Sequence, residues 1–461
     1  MAKLRFEKRM SDQDALMWAI EKDPLLRSTI TSVTLLETRP DHERFAAQIE
    51  HASREIPRLR QRVVSAPFGI SAPEFAIDPN FDIDYHVRYQ RAPGDGTVRD
   101  LFDFAAPFAM SGFDRARPLW EFIIIDDLAD GGSALVQKMH HSLTDGVGAM
   151  KLSMAFLDTT PEGKPLGPLP GEPEPETPEP MRMIREGVER ETRRAMGIAS
   201  RIPGQLARNL ANPVESAKGL GELAGSTARM LRPVSEPFSP IMTGRSLSVR
   251  FDCLTASLPE MKAAAKTVDG KLNDAFVAGV AGGLRRYHDK HGATVDELRM
   301  TMPINIRSDT DEIVAGNQFV PARFAFPISI EDPAERMRAI HKLVDTQRHE
   351  KAMGIVDPIS GVLNRLPLTL TTGLLGSMLK AIDVVTSNVP GAPMPLYIAG
   401  SRMRANFGFG PLSGAASNVT LLSYIDELHI AVSTDPAAVP DPELFVECLR
   451  DGLDEVAALG S

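Results

Sequence analysis

The sequence predicts a mixed α/β protein built from two parts. Its 461 residues, of which 43% are hydrophobic, are enough for two cores, and a single domain of this length would be unusually large. Patterns of strands and helices alternate in both halves, and a stretch rich in Pro and Glu, residues 161–180, lies between them. We therefore expect an N-terminal domain over residues 1–160, a connector and helical crossover over 161–240, and a C-terminal domain over 241–461.

In the N-terminal part, the segments Trp120–Leu128 and Ser133–His141 are apolar runs separated by the turn-forming residues ADGG. This pattern predicts a β-hairpin whose second strand ends at two histidines. A helix follows the hairpin, because Asp145 and Gly146 suit a helix start and apolar residues then recur at helical steps. These recurring residues are Val147, Met150, Met154 and Leu157.

The C-terminal part repeats this mixture of elements. Residues 272–292 have a helical pattern, whereas 298–307 and 318–328 have the patterns of strands. Residues 419–434 predict a second hairpin. The chain shows no short-period repeat, which excludes a solenoid or a propeller.

The middle segment, residues 181–235, contains ten basic and five acidic side chains and is therefore positively charged within a chain of net charge -10. Apolar residues lie on one helical face near its start. These residues are Ile184, Val188, Ala195, Ile198 and Ile202. Two interpretations remain open: a helical crossover packed on the second domain, or a basic amphipathic helix that lies on an anionic lipid surface.

Composition excludes several classes of protein. The net charge of -10 argues against a nucleic-acid partner. Cys253 and Cys448 have no CxxC spacing, so we expect neither a disulfide framework nor a zinc site, and a reducing cytoplasmic compartment fits. The charged N-terminus does not resemble an export signal. The most apolar late segment, Leu366–Val385, is interrupted by Lys380 and Asp383, so we expect no membrane span.

Three common catalytic motifs are absent from the sequence. It contains no GxSxG elbow, no GxxxxGK[ST] loop and no HExxH pair. His288 and His291 lie three residues apart in the helical pattern 272–292, but no carboxylate or thiol pattern accompanies them. We expect them to be surface histidines and predict no metal site.

The informative motif is MHHSLTDG, residues 139–146. A histidine in the loop between a strand and a helix, followed four residues later by Asp-Gly, suits a general base held rigidly at a domain junction. This HHxxxDG string resembles the active-site motif of the CoA-dependent acyltransferase superfamily.

Further strings narrow the resemblance to the bacterial wax ester synthase/acyl-CoA:diacylglycerol acyltransferase family, and their order and spacing cover nearly the whole chain. They are Pro118-Leu119-Trp120, Asn273-Asp274, Met302–Arg307, Gly316-Asn317, Ser387–Gly391 and Ser423-Tyr424. The chain departs from the family pattern at Ala392, which separates Gly391 from Pro393, and at Asp426, where Gly is usual.

This resemblance implies two acyltransferase-like domains, each a mostly antiparallel or mixed sheet flanked by helices, with an active-site tunnel at their interface. It implies transfer of a long acyl chain from acyl-CoA, a co-substrate, to diacylglycerol or a long-chain alcohol, without a permanently bound cofactor. Such substrates suggest a cytoplasmic protein that contacts a membrane or lipid droplet. Two alternatives remain: an acyltransferase with a polar or specialised hydroxyl acceptor, and a catalytically silent lipid-surface protein.

The resemblance also assigns roles to the motif residues. His141 resembles the general base that takes the acceptor's hydroxyl proton, a step that a neutral imidazole performs without a metal. His140 is expected to support it from the opposite face of the strand. Asp145 is expected to form a structural salt bridge with Arg307, and Gly146 to allow tight entry into the helix.

Asn273 resembles an oxyanion stabiliser, with a helix N-cap as the alternative. For Trp120, the two interpretations are the lining of the acyl tunnel and a place in the core. The other expected substrate-binding and structural positions follow from the same resemblance. They are Pro118, Leu119, Ser387 and Asn388 for substrate binding, and Arg307 and Asn317 for structure.

Overall fold

The computed structural model describes residues 5–67, 71–144, 146–190, 192–193, 196, 236–305, 314–315, 319–348 and 368–461. The helices are α1 (Asp12–Ile20), α2 (His42–Glu55), α3 (Ile83–His86), α4 (Val98–Met110), α5 (Gly146–Ser153), α6 (Leu258–Lys266), α7 (Leu272–Lys290), α8 (Pro333–Arg348), α9 (Leu368–Lys380) and α10 (Pro442–Ala457).

The strands of the first half are β1 (Arg5–Phe6), β2 (Thr29–Leu36), β3 (Gln61–Val64), β4 (Glu74–Ile77), β5 (Val87–Arg91), β6 (Trp120–Asp126) and β7 (Ser133–His140). Those of the second half are β8 (Arg250–Ser257), β9 (Glu297–Asn305), β10 (Val314–Ala315), β11 (Phe319–Pro327), β12 (Val384–Val389), β13 (Tyr397–Ile398), β14 (Ser401–Phe409), β15 (Ser417–Tyr424) and β16 (Glu427–Thr434).

Within these residues, the strands form two six-stranded sheets and two small two-stranded ones. The N-terminal sheet has the order β13-β14-β2-β7-β6-β5, and the C-terminal sheet has the order β11-β9-β12-β15-β16-β8. Both are mixed: β5 runs parallel to β6, and β12 runs parallel to both β9 and β15, whereas the other neighbours are antiparallel. The predicted mixed α/β class is confirmed.

The predicted hairpins form with tight registers. Ile123 faces Val136 across the β6–β7 pair, and Leu421 faces Ile430 across the β15–β16 pair. Alternating apolar side chains on the two faces of these strands enter different clusters, because successive strand residues point to opposite sides of a sheet. Apolar residues therefore pack against both faces of each hairpin.

Strands β13 and β14 cross from the C-terminal part to the edge of the N-terminal sheet. Phe407 in β14 faces Val33 in β2, so a segment after residue 396 completes a sheet that begins at residue 29. Phe407, Phe409 and Phe251 share one apolar cluster with residues of β6 and β7. The two parts therefore have a common core, which the division at residue 241 does not anticipate.

The close packing of α7 against α10 sets the far side of the C-terminal part. Gly279 and Gly283 in α7 face Gly452 in α10, where an added Cβ would lie 2.3 Å from the carbonyl oxygen of Gly279. Glycine is required at such a contact because no side chain fits between the two backbones. This pair supports the sheet on the face away from the cavity described below.

The connector lies along the surface of the N-terminal part. The backbone N–H of Glu176 donates to the carbonyl of Ile77 at 3.1 Å, and Arg60 forms an ion pair with Glu172 at 3.0 Å. Residues 161–179 contain no helix or strand, as expected from their composition.

The basic segment begins with a helix over residues 180–190 that packs on the N-terminal part, not on the second domain. Met183 is buried, and Arg182 forms an ion pair with Glu74 at 3.0 Å. Val188, expected on the packed face, is 52% exposed. Most of the remaining segment, including Ala195, Ile198 and Ile202, lies outside the described residues.

Helix α9, from the apolar segment 366–385, packs against α1. Leu375 and Leu379 contact a small cluster formed by Leu16, Ile20 and Leu26. Lys380, at the end of α9, reaches Asp23 at 2.7 Å. Among the described helices, none combines the length and the apolar character that a membrane crossing requires.

Candidate active site

The candidate active site is a cavity of about 420 Å³ between the inner faces of the two six-stranded sheets. Its volume lies in the range typical of small-molecule sites. Strands β7, β2 and β14 contribute one wall, and β9, β12 and β15 contribute the other. Helices α1, α5 and α9 close the sides.

The first wall follows from strand geometry. Every second residue along β7 and just beyond its end lines the cavity: Gln137, Met139 and His141. The same spacing holds along β2 and just before its start, at Ser28, Ile30 and Ser32. This period of two is the side-chain period of an extended strand. The predicted hairpin therefore brings the second motif histidine to the cavity.

The second wall comes from the C-terminal sheet. Ser387 and Asn388, both expected at the substrate, line the cavity from β12. Thr301 and Pro303 line it from β9, and Thr420 lines it from β15. The cavity is therefore bounded by residues from both halves of the chain.

Apolar side chains form the side of the cavity at α1 and α9. Leu16, Ile20, Leu26, Leu375 and Leu379 lie there. An alkyl chain placed among them loses contact with water without leaving any polar group unpaired. This side of the cavity is suited to a long hydrocarbon chain.

His141 lies in the loop between β7 and α5, half-buried and on the cavity wall. Its backbone N–H donates to the carbonyl oxygen of Ser28 at 2.8 Å, which extends the β2–β7 pairing by one residue. The side chain thus projects from backbone held by hydrogen bonds. An imidazole in this position is accessible to a molecule in the cavity.

His140 points to the other side of the strand, as predicted. It is 1% exposed, and its Nδ1 accepts the backbone N–H of Ser142 at 3.0 Å. A neutral ring that accepts at Nδ1 carries its proton on Nε2. Nε2 lies 2.8 Å from Oε1 of Glu21, and Trp18 packs edge-on against the ring.

Glu21, just after α1, was not anticipated from the sequence. Its Oε1 also accepts the backbone N–H of Ser28 at 2.6 Å, so one oxygen holds both His140 and Ser28. Burial raises the pKa of this carboxyl, but His140 and the Ser28 N–H outweigh it, and the pKa lies below its ordinary value. Because Ser28 also binds the backbone of His141, Glu21 anchors both motif histidines.

The PLW string lies in the core and does not line the cavity. Leu119 and Trp120 are fully buried, and the indole N–H of Trp120 donates to the carbonyl of Leu59 at 2.7 Å. The Trp120 ring stacks on His86 at 4.4 Å. Pro118, also buried, is likewise not among the residues that line the cavity. For Trp120, the structure favours the core interpretation.

Asn273 lies behind the second wall. Helix α7 has Lys271 as its N-cap, with Asp274 accepting the cap's backbone N–H, so the cap interpretation of Asn273 is wrong. Its amide nitrogen lies 3.5 Å from the sulfur of Met302, a β9 residue that faces away from the cavity between Thr301 and Pro303. This position gives no support to an oxyanion role.

Several expected site residues lie outside the described part of the chain. These residues are Asp145, Arg307 and Asn317. Gly146 is the first residue of α5, as its expected role in helix entry requires.

Cys253, Cys448, His288 and His291 are not among the residues that line the cavity. Burial raises the pKa of Cys253 to about 11 and also raises the pKa of Cys448. His288 is 1% exposed and bonded to Ser239 and Leu284, so the expectation of a surface position is wrong for it, whereas His291 is exposed as expected. The described residues contain no group of three or more His, Cys, Asp or Glu side chains that could hold a metal.

Comparison with known families identifies two matches that together span most of the chain. Residues 10–276 match the wax ester synthase/diacylglycerol acyltransferase catalytic domain, and residues 315–457 match the C-terminal domain of the same family. A relative from Mycobacterium tuberculosis, which bears the provisional name diacylglycerol O-acyltransferase, is 36% identical over 459 residues, covering 98% of this chain and 93% of the relative.

Solved structures agree with this fold. The wax ester synthase/diacylglycerol acyltransferase from Marinobacter aquaeolei VT8 matches with a TM-score of 0.65 and 22% identity, over 98% of this chain and 100% of that one. The starter condensation domain of rhizomide synthetase, solved with C8-CoA, matches with a TM-score of 0.59 and 14% identity. The match covers 98% of this chain and 94% of that domain. At these identities the likeness concerns the fold. Together with the family matches, it establishes that the chain is an acyltransferase of the wax ester synthase/diacylglycerol acyltransferase family.

Proposed function

We propose that this enzyme transfers a long acyl chain from acyl-CoA directly to a hydroxyl of diacylglycerol or of a long-chain alcohol, with His141 as the general base. The observation that carries the proposal is the position of His141 on the wall of a largely apolar cavity between the two sheets. The catalytic and C-terminal family matches support the same reaction class.

The reaction proceeds in one transfer. The His141 imidazole takes the proton of the acceptor hydroxyl while the hydroxyl oxygen attacks the thioester carbonyl carbon. A tetrahedral intermediate forms, its C–S bond breaks, and the imidazolium returns the proton to the departing CoA thiolate. No acyl-enzyme is required, and the raised pKa values of Cys253 and Cys448 disfavour both thiols as nucleophiles.

The cavity walls serve the two substrates differently. The apolar side at α1 and α9 accommodates an alkyl chain, whereas Ser387 and Asn388, consecutive residues of β12, line the wall opposite β7. We assign these two residues to substrate binding. His140 is a positioning residue, because it is buried behind the wall, lies 2.8 Å from Glu21 and accepts the backbone N–H of Ser142.

Acceptors of this kind reside in membranes or lipid droplets, and we propose that the enzyme approaches them from the surface. The helix over residues 180–190 supports this because it leaves apolar side chains in water: Met181 is 71% exposed and Val188 is 52% exposed. Exposed apolar side chains on a helix in a basic segment are typical of interfacial binding.

The base is tested with His141→Ala. Because the side chain is half-buried at a loop, we expect an intact fold and a loss of acyl transfer of about 10²–10⁴-fold, the usual contribution of a positioned general base. Palmitoyl-CoA is supplied with dioleoylglycerol, hexadecanol or polar alcohols, and thiol release and products are measured. His51→Ala, on α2 away from the cavity lining, is the control.

Near wild-type thiol release by folded His141→Ala would refute the general-base mechanism. Turnover with polar alcohols alone would refute the lipid acceptor and support the alternative of a specialised hydroxyl acceptor. A complete absence of turnover with all acceptors would support the catalytically silent alternative.

A further inference from the structure

A polar band crosses the first wall of the cavity, one step deeper than Met139. It consists of Gln137 on β7, Ser32 on β2 and Asn406 on β14, all of which line the cavity. Gln137 and Ser32 face each other in the β2–β7 register, and Asn406 faces Thr34 on the other side of β2. Three adjacent strands thus place polar groups close together, with Asn406 two residues deeper along its strand than the Gln137–Ser32 pair.

Gln137 in this band has unused hydrogen-bonding capacity, and Asn406 is oriented by its neighbours. Gln137 is 6% exposed, and its buried amide nitrogen has no hydrogen-bond partner among the described residues. The Asn406 amide oxygen accepts the hydroxyls of Ser32 at 2.6 Å and Thr34 at 3.2 Å, which orients its NH2 group away from them. A buried amide without a partner is costly, so such a group in a cavity wall indicates a bound polar atom.

Gly408 on β14 leaves space for that atom. It faces Ser32 of β2 and also lines the cavity. A Cβ at this position would meet its nearest neighbours, Leu422 and Thr420, only at 3.9 and 4.0 Å. The absence of a side chain therefore opens the wall in front of Ser32 and Gln137.

The distance to the base defines what can occupy the band. Gln137 and His141 are four residues apart along an extended strand, so their side chains emerge roughly 13 Å apart. Hydrogen bonds at both ends take up about 3 Å each, which leaves roughly 7 Å between the two ligand oxygens. This spacing excludes the reacting thioester carbonyl, which must lie next to His141.

In a diacylglycerol, five bonds join the free hydroxyl oxygen to one ester carbonyl oxygen and six join it to the other; because these bonds meet at angles, the chains span roughly 5–6 Å, and rotation of the Gln137 side chain toward His141 closes the remaining gap. A fatty alcohol has no second oxygen and leaves the band unpaired. We propose that Gln137 and Asn406 bind an ester carbonyl of the acceptor and so select diacylglycerol over simple long-chain alcohols. This proposal rests on the proposed acyl transfer at His141.

The test compares two acceptors that differ only in these carbonyls. The first is 1,2-dioleoylglycerol, a diester, and the second is its 1,2-dioleyl diether analogue, which has the same hydroxyl and similar chains. Transfer from labelled palmitoyl-CoA is measured in mixed micelles for the wild type, Gln137→Met and Asn406→Asp. The Met variant has similar length without an amide, and the Asp variant keeps an acceptor for Ser32 and Thr34 but loses the NH2 donor.

We expect the wild type to use the diester about tenfold better than the diether, and each variant to lose about 3–10-fold on the diester while leaving the diether unchanged. Met139→Leu, an apolar exchange between the band and His141, is expected to leave the diester-to-diether ratio as it is. Equal use of both acceptors by the active wild type, or an equal loss on both in Gln137→Met, would overturn the carbonyl subsite alone. Absence of transfer to every acceptor would overturn the proposed function as well.

Discussion

Replacing Glu21 separates the positioning of the motif from the chemistry at His141. Glu21→Leu removes the oxygen that accepts the Ser28 N–H at 2.6 Å and lies 2.8 Å from His140 Nε2. The buried N–H of Ser28 loses its acceptor, which costs about 1–3 kcal/mol, so the free energy of unfolding should fall by about that amount. Because Ser28 also holds the backbone of His141, the base is displaced as well.

A displacement of about 1 Å at a catalytic group costs roughly 10²-fold in rate. Glu21 is not among the residues that line the cavity, so kcat should fall while KM stays close to that of the wild type. Steady-state kinetics with dioleoylglycerol, together with urea unfolding, measures both effects. Glu37→Gln, at an exposed ion pair with Arg402, is the control and should change the unfolding free energy by about 1 kcal/mol or less.

Glu21→Gln provides a variant that keeps the acceptor oxygen but removes the charge. In the wild type, the pKa of Glu21 is lower in the folded protein than in the unfolded chain. The charged Glu21 therefore stabilises the fold fully above the unfolded-state pKa, and this stabilisation is lost as the pH falls through the folded-state pKa. The Gln variant should be less stable at pH 7 and should lack this part of the acid-induced loss. If folded Glu21→Leu kept kcat within twofold of the wild type, the anchoring role would be refuted.

Two further predictions concern the reaction scheme and the lipid surface. After incubation with palmitoyl-CoA alone, intact-mass analysis should find no acyl group on the protein, since the thiols of Cys253 and Cys448 have raised pKa values. A stoichiometric acyl adduct that is then transferred to the acceptor would require a two-step scheme. Met181→Asp combined with Val188→Asp should weaken sedimentation with phosphatidylglycerol vesicles and slow turnover of vesicle-embedded dioleoylglycerol, but not of a short soluble alcohol. Equal slowing with both acceptors would indicate a defect in folding or catalysis instead.

The family and the mixed α/β class were recognisable without coordinates because their signals are local. The string MHHSLTDG combines a strand end, a loop and a helix start within eight residues. The alternation along β7 also determined that His140 and His141 point to opposite sides, since strand geometry allows no other arrangement. These conclusions depend only on residues adjacent in the chain.

Contacts between distant segments were not predictable in this way. Glu21 reaches His140 across more than a hundred residues, and Asn406 joins Ser32 across a still longer separation. A single sequence contains no periodicity that links such positions. Trp120 and Asn273 show the same limit, because a motif indicates which residues matter but not which face of a sheet receives them.

The cavity itself arises from the pairing of β14 with β2, which carries a late segment of the chain into the N-terminal sheet. Local propensity predicts that residues 401–409 are extended, but the choice of partner strand depends on burying Phe407 and Phe409 against Phe251 and Phe102. The free energy of that burial belongs to the assembled core, not to any one segment. For this reason the residue types at the site could be read from the linear pattern, whereas their convergence on one cavity required the folded chain.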